Sequence, residues 1–294
     1  MRQNYFISTQ GASVKKKDNQ IVIYNGKEKI GEIPINLIDN LFIFGNVHIS
    51  INAINFLLAY DVDIFLSTLG GKLRGLITKF YLKSDYKMRL KQYSAFNNSQ
   101  KKAKITKFIV FNKLEQIEKH TGLDLTNLKE KLLNVSTYKE VLGIEGLASA
   151  LFFDFFKKSL KNKYGFEGRK YNPSLDPVNA VLSLVYTLYH NVLFSLVTSR
   201  GYDPYIGFLH RKRGSHSAFV SDLIEYSRPA LSMYVLELFN SGYFRKSDFK
   251  KKKGYMITSE KSKDFFKKVN EEILKNPKYI NNSQLFLSQI ESML

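Results

Sequence analysis

The sequence contains no cysteine among its 294 residues. Disulfides and thiolate metal sites are thereby excluded, an absence that fits a reducing cytoplasm. Acidic residues are also scarce: 26 Asp and Glu face 45 Lys and Arg, for a formal charge of +19. A surface so unbalanced attracts polyanions, nucleic acid first and anionic membrane second. The opening residues Met1-Arg2-Gln3-Asn4-Tyr5 lack the apolar core of a signal peptide. One stretch, residues 180–197, is long and apolar enough to suggest a membrane span, but Ser183, Thr187, His190, Asn191 and Ser195 interrupt it. The helical spacing of Leu182, Val185, Tyr189, Leu193 and Leu196 suits a buried core helix, and no membrane is expected. No internal repeat is visible. With 44% hydrophobic residues the chain can bury a sizeable core, and its composition argues against disordered, collagen-like and low-complexity classes.

The charge is uneven along the chain. Residues 1–80 carry nine basic and six acidic side chains, a net +3, which leaves +16 for the remainder. The footprint for a polyanion is therefore expected mostly after residue 80. The hydrophobic period changes near the same place. Short β-branched or aromatic runs at 5–8, 20–24 and 63–66 read as strands. Turn residues separate them: Lys17-Asp18-Asn19, Asn25-Gly26 and Gly70-Gly71. Asn25-Gly26 is a hairpin signal, and residues 50–60 read as one short helix. From 85 to 120 apolar residues recur every three or four positions, which is helical. Further helices are expected at 137–156, at 217–240, at 264–274, and from Asp176-Pro177 toward Arg200-Gly201. The expected fold class is α+β: a small, mainly β domain at 1–82, then a larger all-α domain at 83–294.

Three places in the helical part break the burial rules. Glu145 lies on a mostly apolar stripe with Val141, Leu142, Ala148 and Phe152, and Ser149 is the one polar neighbour on that face. Either a positive group satisfies a buried carboxylate here, or Glu145 is a partly exposed residue at the stripe edge. Gly143 and Gly146 beside it weaken the helix and leave room for a close approach. His210 follows an apolar turn and opens the basic run Arg211-Lys212-Arg213, with His216 six residues on. An ordinary surface histidine beside a solvated basic run is the alternative. Asp222 and Glu225 are three apart and share a helix face. They either hold a cation or proton between them, or are no more than an N-terminal helix charge and a salt bridge to Arg228. Taken together, one imidazole and two or three carboxylates form a hard, oxygen-rich set suited to Mg²⁺ or Mn²⁺. In a basic chain such a set points to phosphodiester chemistry, with Arg211, Lys212 and Arg213 on flanking phosphates. Lys250-Lys251-Lys252-Lys253 is either a further DNA contact or a solvated loop.

Four ordered segments resemble a known family. They are Gly143-Ile144-Glu145-Gly146; Phe166-Glu167-Gly168-Arg169 with Asn172-Pro173-Ser174-Leu175-Asp176-Pro177-Val178-Asn179-Ala180; Gly201-Tyr202-Asp203-Pro204-Tyr205-Ile206-Gly207-Phe208-Leu209-His210; and Asp222-Leu223-Ile224-Glu225 with Arg228-Pro229. The set is similar to the CRISPR-associated (Cas) integrase and endonuclease family of spacer acquisition, over nearly the whole chain. The resemblance implies a catalytic metal triad of Glu145, His210 and Glu225, with Asp222 as a supporting acid and Arg169 as a further DNA contact. It implies that Mg²⁺ or Mn²⁺ serves the joining of a captured fragment's 3′-hydroxyl end to the CRISPR repeat, with endonuclease activity beside it. It also implies double-stranded DNA as substrate, a homodimer formed through the N-terminal domain, and a small ferredoxin-like second Cas protein as partner. Ser174 and Ser227 depart from the family pattern without touching the triad. The alternative is a non-catalytic basic DNA-binding subunit, in which Glu145, His210 and Glu225 would be scattered.

Overall fold

The computed structural model of the chain describes residues 2–69, 71–79, 86–162, 164–170, 173–211, 214, 216–251 and 253–294. It separates into two compact units, Met1–Lys83 with Ser262–Asn276, and Ser84–Lys261 with Pro277–Leu294. The strand-rich beginning followed by helices is the α+β class expected from the periodicity.

The first unit contains β1 (Gln3–Ile7), β2 (Ala12–Lys17), β3 (Gln20–Asn25), β4 (Glu28–Pro34), β5 (Ile38–Phe44), β6 (His48–Ile49), α1 (Ile51–Ala59), β7 (Asp63–Ser67) and β8 (Leu73–Ile77). They form two four-stranded sheets, ordered β1-β5-β7-β8 and β4-β3-β2-β6. Asn25-Gly26 turns β3 into its antiparallel neighbour β4, with Gly26 at φ 62°, the left-handed geometry that glycine adopts without a Cβ clash. β1, β5 and β7 run parallel, and Phe6, Phe42 and Phe65 stack across them at centroid separations of 4.8 and 4.6 Å. Phe42 and Phe65 are fully buried, and burial of each contributes about 1.5–3 kcal/mol. The chain returns to this unit late, where Phe266 packs on Phe44 at 5.4 Å.

The second unit contains α2 (Tyr86–Asn97), α3 (Ser99–Thr121), α4 (Thr126–Asn134), α5 (Tyr138–Ser159), α6 (Pro177–Ser199), α7 (Ala218–Asn240), the antiparallel hairpin β9 (Phe249–Lys251) and β10 (Tyr255–Ile257), and α9 (Pro277–Glu291). Between β10 and α9 the helix α8 (Ser259–Val269) leads into a π-helical turn, Asn270–Leu274. The helical region expected over 85–120 is broken at Asn98, whose side chain caps α3 by accepting from the amides of Gln100 and Lys101. α6 starts as the sequence implies: Asp176 accepts from the Asn179 amide, with Pro177 in the first turn. Most of the membrane-length apolar stretch of α6 is buried inside the protein, as in a core helix. α7 packs against α3, α5, α6 and α9, and is buried on nearly all sides. Its acids Asp222 and Glu225 are consequently buried with it, whereas Glu237 near its end is exposed.

Two glycines of this unit test the packing in opposite directions. A Cβ on Gly207 would lie 2.7 Å from the Ala218 carbonyl carbon and 2.8 Å from the His210 oxygen, both backbone atoms that cannot swing aside. Gly207→Ala is expected to destabilise the protein by about 1–3 kcal/mol. A Cβ on Gly143 would meet nothing within 4 Å among the described residues. Gly143→Ala is expected to raise stability by about 0.5–1 kcal/mol. Urea melts of the two variants check both signs.

Candidate active site

Glu225, on α7, is the centre of the site. Its side chain is 2% exposed. Arg228, one turn later, brings Nε to 3.0 Å from Glu225 Oε1, and Lys113 of α3 brings Nζ to 2.6 Å from Oε2. The Lys113 contact is short but poorly aligned, so Oε2 is a buried oxygen without a well-directed hydrogen bond. Burial by itself would push this carboxyl up. The charges of Arg228, Lys113 and His210 outweigh it and hold the pKa down at about 2. Pro229 lacks the N–H that would otherwise reach the Glu225 carbonyl, so the helical ladder is interrupted at this residue.

Lys113 links the second carboxylate to the first. Its side chain is only 6% exposed, and its ammonium donates to Glu145 Oε1 and, at 2.8 Å, to Ser149 Oγ. Ser149 in turn donates to Glu145 at 2.9 Å. Glu145, on α5, is 24% exposed, so it stands at the edge of its stripe and is satisfied by a buried cation. Burial favours a neutral amine at Lys113, but the charges of Glu225 and Glu145 prevail and raise its pKa. The sequence held a signal for Lys113 that went unread: it sits four residues from both Ile109 and Ile117 on the buried stripe of α3. Among the described residues, no other part of the chain comes within 4 Å of a Cβ placed on Gly143 or Gly146.

His210 is placed by the loop before it rather than by a helix. Asp222, fully buried on α7, accepts from the amides of Phe208 at 2.5 Å, Leu209 at 3.1 Å and His210 at 2.7 Å. Gln92 of α2 donates to the carbonyls of Asp203 and Ile206 and accepts from the Asp203 amide, so a second helix clamps the same loop. Thr106 of α3 and Tyr138 of α5 hold the carbonyls of Phe208 and Leu209. Asp222 also meets His210 Nδ1 at 2.9 Å, while Nε2 lies 3.7 Å from Glu225 Oε1. Burial opposes charge on this imidazole, but the hydrogen bond and charge of Asp222, with Glu225, raise its pKa. His216 is exposed, with its ring 6.2 Å from that of His210.

Three of the expected residues, Glu145, His210 and Glu225, thus share one place. Glu145, His210 and Glu225 all line a cavity of about 710 Å³, together with Lys113, Lys157, Arg169 and Arg228. Arg169 donates to the Lys170 carbonyl, Asn179 and Ser183, which ties the 168–170 segment to α6. The guanidinium groups of Arg169 and Arg228 lie 5.4 and 5.2 Å from the Tyr186 ring centroid. Arg211 is exposed and stacks 4.9 Å from the Tyr138 centroid. Lys212, Arg213 and Lys252 lie outside the described residues. Among the described residues, no three His, Asp or Glu side chains already stand as metal ligands. The Lys113 ammonium lies between the two glutamates instead. The donor set still fits a hard divalent ion: two carboxylates, one with a poorly satisfied buried oxygen, and an imidazole whose Nε2 faces Glu225.

These features define a class: a basic protein with a strand-rich unit and a helical unit that carries a buried carboxylate–imidazole–ammonium cluster in a cation-walled cavity. The chain belongs to the family described as CRISPR associated protein Cas1, whose profile matches residues 5–271. It is 29% identical over 263 residues to the CRISPR-associated endonuclease Cas1 1 of Thermodesulfovibrio yellowstonii, covering 84% of this chain and 82% of that protein. In fold it is similar to a CAS1 protein from Thermotoga maritima, with a TM-score of 0.85 at 23% identity over 98% of this chain and 96% of that one. It is also similar in fold to a casposase bound to integration product, with a TM-score of 0.77 at 20% identity over 92% of this chain and 82% of that one.

The depressed pKa of Glu225 makes stability depend on acid. A group held below its ordinary value contributes stability above that value, and the contribution is lost as pH falls through the folded pKa. Wild type in EDTA should lose this contribution between about pH 4.5 and pH 2. Glu225→Gln should flatten that part of the profile, as followed by urea melts across the range.

Proposed function

We propose that this chain is a divalent-metal-dependent DNA endonuclease and integrase of CRISPR adaptation. On this reading it joins the 3′-hydroxyl of a captured DNA fragment to the CRISPR repeat by transesterification. The observation that carries the reading is the convergence of Glu145, Glu225 and His210 on one cation-walled cavity in a chain of formal charge +19. A non-catalytic DNA-binding subunit would have no need to gather buried acids beside basic side chains.

Each residue has a part. Glu145 and Glu225 offer carboxylate oxygens, and His210 offers Nε2, as ligands for Mg²⁺ or Mn²⁺. An ion held by these residues would supply charge stabilisation at the phosphate and would lower the pKa of an attacking hydroxyl or water. Asp222, at 2.9 Å from Nδ1, favours the tautomer that carries its proton on Nδ1 and leaves the Nε2 lone pair facing Glu225. Arg228, Arg169 and Lys157 line the cavity where phosphate oxygens would sit, and each adds a donor as well as a charge. Arg211, Lys212 and Arg213 hold flanking phosphates. One phosphodiester replaces another, so the joining step needs no nucleotide hydrolysis. The partners are double-stranded DNA, a second copy of this chain through the N-terminal unit, and the small ferredoxin-like second Cas protein.

Glu145→Ala and His210→Ala should retain DNA binding and lose strand joining by more than about a hundredfold, measured on a repeat-containing plasmid with Mg²⁺ or Mn²⁺. Normal joining by either variant refutes the assignment. Arg211→Ala should reduce the slope of log binding constant against log salt by about 1, as read by titration at several ionic strengths. An unchanged slope removes Arg211 from the DNA interface.

A further inference from the structure

Two carboxylates that converge in a buried place repel unless a positive charge stands between them. Here that charge is supplied by the protein itself. Lys113 reaches in from α3, donates to Glu145 Oε1 and Ser149 Oγ, and lies 2.6 Å from Glu225 Oε2. Three oxygens surround an ammonium with three N–H groups, and the side chain is only 6% exposed. We propose that Lys113 is the resident cation of this cluster: its ammonium occupies the point that Glu145 and Glu225 share, and a divalent ion enters only by displacing it. The inference rests on the metal reading of the site given above.

Sterics and charge lead to the same exchange. Nζ is in contact with one oxygen of each glutamate, so no ion can ligate both oxygens while it remains. Lys113 and Arg228 already offset the charges of Glu145 and Glu225, and His210 is paired with Asp222. Two further positive charges added beside an unmoved ammonium would be weakly screened at this burial. A lysine can leave because its head rides on a flexible four-carbon stem, whereas Arg228 is braced between Glu225 and the Tyr186 ring. Lys113 also lines the cavity, so its displaced head has somewhere to go. Lys113 is thus a positioning residue. It keeps the two glutamates together before the ion arrives, and it opposes the ion's entry.

A structural lysine and an exchangeable one predict opposite effects on metal affinity. Lys113→Met keeps the length of the stem and removes the charge. In EDTA the variant should melt below wild type, because the glutamates lose their counter-ion. In Mn²⁺ titrations followed by electron paramagnetic resonance it should nevertheless bind about tenfold more tightly than wild type. Saturating Mn²⁺ should then raise its melting temperature more than it raises that of wild type. A folded Lys113→Met protein that binds Mn²⁺ no better than wild type overturns the exchange. Wild-type protein carrying ¹⁵N-labelled lysine provides the same test without a variant. Saturating Mg²⁺ should move the buried Lys113 ammonium signal into the envelope of solvated lysines, and an unmoved signal overturns the proposal even if Lys113→Met fails to fold. Failure of the metal reading itself looks different: neither wild type nor variant takes up Mn²⁺, with or without DNA, and both proposals then fall together.

Discussion

A carboxylate removed from water must find positive charge inside the protein, and much of the helical unit is arranged around that requirement at Glu225. Arg228 comes from the same helix, Lys113 from α3 and His210 from a loop. Three separate parts of the chain are thereby committed to one point. An uncompensated buried charge costs several kcal/mol, which is comparable to much of a domain's net stability. The same arrangement keeps the carboxylate ionised, since its attractions outweigh the cost of burial. A site built this way is pre-charged before any ligand arrives.

Asp222 solves the adjoining problem of placing an imidazole that no helix carries. One fully buried carboxylate gathers three successive amides and one ring nitrogen, so the loop's conformation and the histidine's orientation are determined together. Gln92, Thr106 and Tyr138 hold the same loop from three other helices. The packing of Gly207 against Ala218 belongs to this construction, because the loop can lie on the start of α7 only where a side chain is missing. The supporting acid is therefore a structural peg as well as an electrostatic partner. Removing it would leave buried amides without acceptors.

Legibility followed local physics. The cap of α6, Asp176, and the Asn25-Gly26 hairpin act over a few residues, and the sequence displayed both. β5 was missed because it is buried along nearly its whole length, so Ile38–Phe44 shows no alternation of apolar and polar residues. α4 and the β9–β10 hairpin were missed as well, being short elements with weak patterns. Glu145, His210, Asp222 and Glu225 stood out as polar residues in apolar or unusual settings. Lys113 carried the same kind of signal and was passed over, because a single lysine in a basic chain draws no notice.

By itself, the sequence determined what depends on neighbours along the chain: helix period, caps, turns, the excess of positive charge and the ordered segments that mark the family. Only the tertiary structure decided which charges meet. Lys113, Glu145 and Glu225 are separated by tens of residues, and no periodicity relates a position on α3 to positions on α5 and α7. Their pairing emerges when these helices pack and water is excluded. At that point the buried Lys113 ammonium and the buried Glu225 carboxylate need opposite charge to offset the loss of solvent, and Glu145 and Arg228 supply it beside their own contact.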